Sequence, residues 1–487
     1  MPDNLRCYAG QRIAPAILFY NIPMTIDYET YHSPFSWRYG TPEMRQIWSE
    51  VNKRQLWRKL WVVLAEVQSE FGLVQPDQLA DLRAHMSLVD MPRALEIEAE
   101  IHHDLMAELK VFAEQCQVGG AILHMGPTSM DIEDNADVLR QRDSLDLLLI
   151  SLKALLQLFT EKIDAWADFP VIAFTHLQPA EPSTLGYRLA CYAQDLLMDW
   201  KALQLVRSDL CGRGFRGAVG TGASYAELIG VDKLAEFELR LSQRLGLSFF
   251  PVATQVYPRK QDYVLISTLA GLGASVYKFA FDLRLLQSAP IGELSEPFGK
   301  QQIGSSAMPF KRNPVDAEKI DSLARSLAQM PRIAWDNAAH SLLERTLDDS
   351  ANRRTMLPEA FLISDELLLT TRRILGGLQV NEVAIKQNLE AYAPFAAVER
   401  VLMALAKAGA DRLVMHDYLR EHSITAWGEV RSGKPNQLVD LISHDPEITR
   451  YIPGAELCQL MDISHYLGDA PQRARQMAET IRNLLSS

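Results

Sequence analysis

Cysteine, net positive charge and uninterrupted apolar sequence are all scarce in this chain. The five cysteines are scattered without a Cys-x-x-C pair, which gives no support to a zinc ribbon or a thioredoxin-type site and favours a reducing compartment. The net charge of −12 argues against general nucleic-acid binding, which needs a basic surface. Charged residues interrupt the longest apolar block, residues 145–166, before it reaches the roughly 18 residues of a membrane span. We therefore expect a cytoplasmic protein without nucleic-acid or membrane partners.

The composition is that of a large globular protein. The 487 residues are 48% hydrophobic and 23% charged, which excludes a chain disordered throughout. At roughly 150 residues per domain, this length predicts about three domains.

Apolar residues recur at helical spacing along most of the chain, which predicts an all-α fold. Arg54–Phe71 carries an apolar stripe, and Asp143–Trp166 is apolar nearly all round at its centre, as in a helix buried on most sides. Residues 247–257 are the most strand-like, although Pro251 weakens that pattern. Further long helices are predicted over residues 183–210, 262–287, 313–328, 357–378 and 398–408.

Paired glycines suggest where domains meet. We predict an N-terminal helical domain over residues 33–118, a central long-helix domain over 119–375 and a C-terminal helical domain over 376–487. Residues 1–32 are predicted to be a disordered leader. Arg6 and Arg12 before a short apolar stretch loosely imitate a signal peptide, but Pro15 interrupts it and no clear cleavage site follows.

The most polar island in the chain is the segment GSSAMPFKRNP, residues 304–314. Glycine and proline punctuation predicts a loop, and a loop of this kind can close over a site. From composition alone, a plain polar connection before the next helix is an equally good interpretation. The candidate functional residues here are Ser305, Ser306, Met308, Lys311 and Asn313, with Glu318 just beyond.

Four other islands also interrupt the apolar pattern. Each has a structural alternative: a capping or core histidine, a helix N-terminus with acidic residues in its first turn, or a solvated charged helix start. The pair His102-His103 lacks a second cluster at metal-ligand spacing, so no metal is expected. The islands are FTHLQP (174–179), HMGPTSMDIEDN (124–135), His102-His103-Asp104 and ERTLDDSANRR (344–354).

Read in order, these islands resemble the signatures of the fumarase/aspartase superfamily, with an S-S-x-M-P-x-K-x-N loop, T-H-x-Q-P and H-x-G-x-T-S. Within it, the chain resembles the adenylosuccinate lyases, especially their eukaryotic-type branch. That resemblance is carried by Arg38-Tyr39, His103-Asp104, QVYPRKQD (255–262) and ERTLDDSANRR. It covers roughly residues 33–487 and weakens after about residue 410.

The resemblance implies a three-domain, almost all-helical subunit. Its long helices would form the twenty-helix core of a homotetramer, with each active site shared between three subunits. The implied reaction is β-elimination of fumarate from adenylosuccinate to give AMP, together with cleavage of the succinylated carboxamide imidazole ribotide of purine synthesis. The partner is thus a small purine nucleotide, and neither cofactor nor metal is required.

The resemblance also assigns roles to residues. Ser305 is the expected base, with Ser306 as the alternative that sequence cannot separate, and His176 is the general acid. Lys311 would stabilise negative charge, His103 would orient the substrate, and Glu318 would orient His176 or a loop partner. The expected substrate-binding residues are Arg38, Tyr39, Asp104, Thr128, Ser129, Gln255, Ser306, Met308, Asn313, Arg345, Ser350 and Arg354.

Three positions depart from the family pattern and leave the balance between the two substrates open. Tyr187 stands where many relatives have lysine, His102 where arginine is usual, and Lys319 where close relatives have arginine. The alternatives are another lyase of the superfamily, such as an argininosuccinate lyase or an aspartase, and a non-catalytic protein on the same scaffold.

Overall fold

The computed structural model describes residues 29–463 and 466–486. Residues 1–28, most of the predicted leader, lie outside this part. The helices are α1 Pro42–Ile47, α2 Glu50–Glu70, α3 Pro76–His85, α4 Met91–Ile101, α5 Asp104–Gln115, α6 Ser129–Ala165, α7 Leu185–Asp209, α8 Ala223–Ile229, α9 Leu234–Leu245, α10 Lys260–Leu286, α11 Val315–Leu327, α12 Met330–Ala339, α13 Ser350–Gly376, α14 Glu382–Lys407, α15 Arg412–Arg431, α16 Leu438–Ser443, α17 Pro446–Thr449, α18 Gly454–Leu460 and α19 Ala470–Ser486. The strands are β1 Pro170–Thr175, β2 Gln178–Thr184, β3 Cys211–Gly212, β4 Ser248–Phe249, β5 Leu294–Ser295 and β6 Gln379–Val380.

Long helices α6, α7, α10, α11 and α13 pack on one another and form the centre of the molecule. Their inward apolar residues join one large core, because helices this apolar gain free energy by removing several faces from water. The predicted all-α class is confirmed, and each long helix predicted from periodicity lies within or close to an observed one.

The strands are few and short. The β1–β2 pair is an antiparallel hairpin with an irregularity between Ile172 and Phe174, and it packs against α14. The other pairs are β3–β4, parallel, and β5–β6, antiparallel. Of residues 247–257, the most strand-like stretch in the sequence, only Ser248 and Phe249 form a strand. Pro251 has no N–H to donate to a continued ladder.

Two arginines of α2 are buried with one carboxylate of α5. Arg58 Nε lies 2.5 Å from Glu108 Oε1, and Arg54 Nη1 lies 3.2 Å from Oε2 of the same residue. A buried charge is tolerated only when it is paired. The shared carboxylate therefore fixes α5, which begins next to the candidate site, against α2.

Helices near the C-terminus divide between two cores. A second apolar core joins residues between Ala397 and Met461, whereas α19 returns to pack on α6 and α7 and adds Ala474, Ile481 and neighbouring residues to the large core. The predicted domain boundaries remain predictions.

Helix α10 is long and apolar enough to cross a membrane by length and composition alone, and 44% of its most apolar window is buried inside the protein. One such helix is weak evidence of a span, because the core helix of a soluble protein passes the same test. Here α10 packs against α7, α11, α12 and α13.

Gly186, near the start of α7, sits against the end of α6. A Cβ there would lie 2.6 Å from Ala167 Cα and 2.7 Å from the Ile163 carbonyl oxygen, both backbone atoms. We expect Gly186→Ala to lower the free energy of unfolding by about 1–3 kcal/mol, because two helix backbones would have to separate. The thermal midpoint measures this loss.

The matched control is Gly428→Ala in α15, where nothing lies within 4 Å of the added Cβ. An alanine at this exposed helical position should raise stability by about 0.5–1 kcal/mol. A Gly186→Ala midpoint equal to or above that of the wild type would contradict the close approach of α6 and α7.

Candidate active site

Eight of the predicted site residues line one cavity of about 390 Å³, here called the main cavity. The shared lining shows that islands distant in sequence converge in one chain. These residues are His103, Asp104, Thr128, Ser129, Gln255, Arg345, Ser350 and Arg354.

Helix beginnings position these side chains. His103 is the N-cap of α5, Thr128 the N-cap of α6, and Ser350 the first residue of α13. His103 Nε2 lies 3.3 Å from Ser129 Oγ, which links the first two helix ends directly. Because free N–H groups and the positive end of the helix dipole meet at such ends, the cavity suits an anionic ligand.

Asp131 fixes the start of α6 through its buried carboxylate. Its buried carboxylate accepts hydrogen bonds from the backbone N–H groups of Thr128 at 2.9 Å, Arg216 at 3.0 Å and Gly217 at 3.0 Å. It also pairs with Arg213, which is fully buried. The backbone that carries Thr128 and Ser129 is therefore fixed to the loop before α8.

A second set of carboxylates positions the two cavity arginines. Arg354 lies 3.0 Å from Asp104 Oδ2. Arg345 lies 2.8 Å from Asp349, which in turn accepts from the buried Arg259 at 2.6 Å. Each arginine thus keeps guanidinium N–H groups for a ligand while one edge is held in place.

Asp104 is ionised in this setting. Burial acts to raise the pKa of its carboxyl, but the charges of Arg354 and Lys53 and the N–H of Leu105 outweigh burial and hold that pKa below its ordinary value. The Asp104–Arg354 ion pair therefore persists below neutral pH.

The loop of residues 304–314 closes on itself at its base. Asn313 Nδ2 donates to the Gly304 carbonyl oxygen at 2.9 Å, and a Cβ on Gly304 would lie 2.1 Å from the Lys311 carbonyl oxygen. Glycine is thus the residue that permits this crossing. The side chains of Met308 and Lys311 in this loop are exposed to solvent.

The two adjacent serines of this loop differ. Ser305 is partly buried, and its Oγ accepts from the backbone N–H groups of Met308 at 3.1 Å and Ala307 at 3.4 Å. Ser306 is exposed. Donors aimed at Oγ favour negative charge on that oxygen, so the surroundings of Ser305 suit a base better.

His176 lies at the tip of the β1–β2 hairpin. His176 and Leu177 form its two-residue turn with φ of 54° and 59°, a left-handed conformation that glycine or asparagine normally occupies. Both residues of the turn are exposed, and non-glycine residues in such an unfavourable conformation cluster at functional sites. The cavity beside His176 contains Arg188, Tyr192 and Lys278.

Glu318 and the Arg38-Tyr39 pair lie elsewhere. Glu318, in the first turn of α11, is 3.9 Å from Arg284, and within the described residues it has no bond to His176. Tyr39 packs on Phe35 with ring centroids 5.6 Å apart, and the Arg38 guanidinium lies over Trp37.

The predicted residues therefore form separate groups in one chain. Neither His176 nor any residue of the 304–314 loop is among the residues that line the main cavity in the described part of the chain. A single subunit presents a binding cavity, an exposed histidine turn and an exposed serine loop at different places on its surface.

Sequence reasoning missed several cavity residues. Glu133 lines the main cavity, and Asp349 holds Arg345 from behind. Both were visible only as acidic residues near predicted helix starts, a position with its own structural explanation. Only tertiary structure shows that one of them faces the cavity.

One trio in the described residues has metal-ligand chemistry. Ligand atoms of Asp81, His85 and Cys116 lie within 4.8 Å of one another. Asp81 already accepts from the backbone N–H groups of Val118 and Gly119, in the turn after α5, and burial raises the pKa of the Cys116 thiol to about 12. None of the three lines the main cavity.

Comparison with known proteins shows which family the chain belongs to. The family described as Lyase matches residues 78–328, and the family described as Adenylosuccinate lyase C-terminus matches residues 394–477. The chain is 37% identical to the adenylosuccinate lyase of Saccharomyces cerevisiae, over 93% of this chain and 95% of the relative. It is 38% identical to that of Schistosoma mansoni, over 86% and 88%.

A solved structure shares the fold. The 3-carboxy-cis,cis-muconate lactonizing enzyme of Pseudomonas putida superposes with a TM-score of 0.82 at 25% identity, over 93% of this chain and 99% of that enzyme. Together with the extended similarity to curated lyases, these matches show that the chain belongs to the adenylosuccinate lyase family.

Proposed function

We propose that this protein cleaves adenylosuccinate to AMP and fumarate, and that it also cleaves the succinylated carboxamide imidazole ribotide. The observation that carries the proposal is the main cavity, in which Arg345, Arg354 and three helix starts surround a space suited to a polyanionic ligand. The chain's similarity to adenylosuccinate lyases supports the same substrate.

The reaction needs a base and an acid. The base removes a proton from the carbon next to a succinyl carboxylate, the electron pair forms the new double bond, the C–N bond breaks, and the acid protonates the leaving nitrogen. The carbanion formed on the way spreads its charge onto that carboxylate. Donors fixed around the carboxylate would therefore supply most of the stabilisation.

Ser305 is the proposed base. A serine hydroxyl is a weak acid, so its alkoxide requires donors and a nearby cation. The two N–H groups on Ser305 Oγ supply the donors, and we assign the role of the cation to Lys311 of the same loop. Closure of the loop would exclude water as the serine reaches the substrate.

His176 is the proposed acid, supplied to a cavity by another subunit. The long helices expose several large apolar side chains, namely Ile150, Met198, Leu205, Val264 and Phe281, and contiguous exposed apolar surface marks interfaces between subunits. We propose a homotetramer with a core of these helices, in which chains exchange the serine loop and the histidine turn. Glu318 is proposed to orient a neighbouring chain's His176 or a loop partner, and Arg38 and Tyr39 to reach the phosphate.

The direct test is turnover. Purified protein incubated with adenylosuccinate should release AMP and fumarate in equal amounts, resolved by chromatography. A folded protein that releases neither product would contradict the proposed substrate and would point to another succinylated amine or to a scaffold without activity.

The serine assignment has a matched pair of variants. We expect Ser305→Ala to lower kcat by about 10² or more while adenylosuccinate still binds, because the loss of a base removes a step that binding cannot replace. Ser306→Ala, which leaves the bonds to Ser305 Oγ in place, should lower kcat far less. If Ser305→Ala kept more than about a tenth of the wild-type kcat, the assignment would be wrong.

A further inference from the structure

Glu133 has an unusual position in the main cavity. It lies one helical turn after Ser129 on α6, and it lines both the main cavity and a smaller cavity of about 90 Å³ that adjoins it. Arg345, Ser350 and Arg354 also line both. Glu133 therefore borders the same two spaces as the residues proposed to bind phosphate.

The carboxyl of Glu133 has no protein partner. Within the described residues it makes neither a hydrogen bond nor an ion pair, whereas its neighbour Asp104 is bound to Arg354 and Asp349 is bound to Arg345. Most cations around the cavity are thus already neutralised by other carboxylates. Glu133 is only partly buried and lines both cavities, so its carboxyl is free to bind a ligand there.

Charged groups from every packed element surround Glu133. Helix α6 contributes acids and one arginine, Arg140, whose buried Nε also has no partner. The groups lining the two cavities are the cations Lys53, Arg140, Arg345, Arg353 and Arg354, the histidines His102 and His103, and the acids Glu50, Glu98, Asp104, Asp137 and Asp349.

This setting keeps the Glu133 carboxyl neutral. Burial, with repulsion from Asp104, Asp137 and Asp134, raises its pKa to about 8. A neutral carboxyl has one O–H donor, whereas the ionised form can only accept.

We propose that Glu133 is a further substrate-binding residue, whose neutral carboxyl donates a hydrogen bond to a phosphate oxygen of the nucleotide held by Arg345, Ser350 and Arg354. This inference rests on the proposed function. An O–H group donating to an anionic oxygen makes a short and strong bond. After ionisation the same side chain repels the phosphate. The protonation state of Glu133 therefore determines how tightly the phosphate binds.

The proposal fixes the sign of a pH effect. Below about pH 8 the carboxyl is neutral and binding is tight, and as the pH rises through this value the binding form is lost. KM for adenylosuccinate should therefore rise, by up to about tenfold per pH unit, with a smaller effect on kcat. A phosphate monoester completes its own ionisation near pH 6, so the ligand does not titrate in this range.

The experiment compares KM and kcat from about pH 7 to about pH 9.5 in wild type, Glu133→Gln and Glu98→Gln. Glutamine keeps a donor but cannot ionise, so Glu133→Gln should flatten the alkaline rise in KM. Glu98→Gln is the matched control, because Glu98 is another carboxylate that lines the main cavity and is bound to Arg54. This variant should keep the alkaline rise in KM.

Two results would overturn the proposal: a wild-type KM that stays flat above pH 8, or the same rise in Glu133→Gln as in wild type. AMP binding by calorimetry over the same pH range reads the contact without turnover, and it should weaken in wild type and in Glu98→Gln but not in Glu133→Gln. If AMP bound in this way but adenylosuccinate gave no products, the proposed reaction would fail while the Glu133 contact stood. If AMP did not bind at all, the inference would be wrong.

Discussion

The candidate site depends on one buried network of ion pairs that joins three helix starts. Arg259, just before α10, reaches Asp134 of α6 at 3.0 Å and Asp349, just before α13, at 2.6 Å. Arg353 of α13 reaches Asp262 of α10 at 2.9 Å. Burying these charges is costly, and removal of one partner leaves an unpaired charge inside the protein. The network therefore contributes more to fixing one arrangement of these helices than to the free energy of folding. Asp349, a member of the network, also positions Arg345 through their ion pair.

The same principle recurs at each edge of the main cavity. Asp131 holds the backbone before α6, and Glu108 fixes α5 to α2. Residues proposed to contact substrate are bonded to buried carboxylates: Thr128 to Asp131 and Arg345 to Asp349. Both lie at or near the start of a helix. The serine loop and the histidine turn differ from the main cavity because both are exposed on the surface. His176 also has an unfavourable left-handed backbone conformation. One chain supplies the main cavity, and we propose that the serine loop and the histidine turn reach it from other chains.

Much of the fold follows from apolar periodicity, and its limits have a physical cause. The predicted helix over residues 143–166 covers only the later part of α6, because the first turns carry the buried acids Asp131 and Asp134 and the partly buried Asp137. These acids pair with Arg213, Arg259 and Arg353, which are distant in sequence. The hairpin of β1 and β2 went unpredicted because PAEPST has no alternating pattern. It is held instead by packing on α14.

The kinds of residue in the site were predictable from the sequence, but their positions relative to one another were not. The polar islands identified His103, Ser129 and Arg354, which the structure brings to one cavity. The separation of Ser305 and His176 from the lining of that cavity could not be predicted from composition, because it depends on how the long helices place their connecting segments. Glu133 was visible only as an acid in the first turn of a helix.

The central claim is that one active site takes its serine and its histidine from different chains. It is tested most directly by mixing inactive Ser305→Ala and His176→Ala subunits after dissociation and reassembly. The account predicts recovery of about a quarter of wild-type turnover, the share of sites that random assembly leaves with both groups intact. No recovery from correctly reassembled hybrids would show that one chain supplies both residues, and would contradict the account.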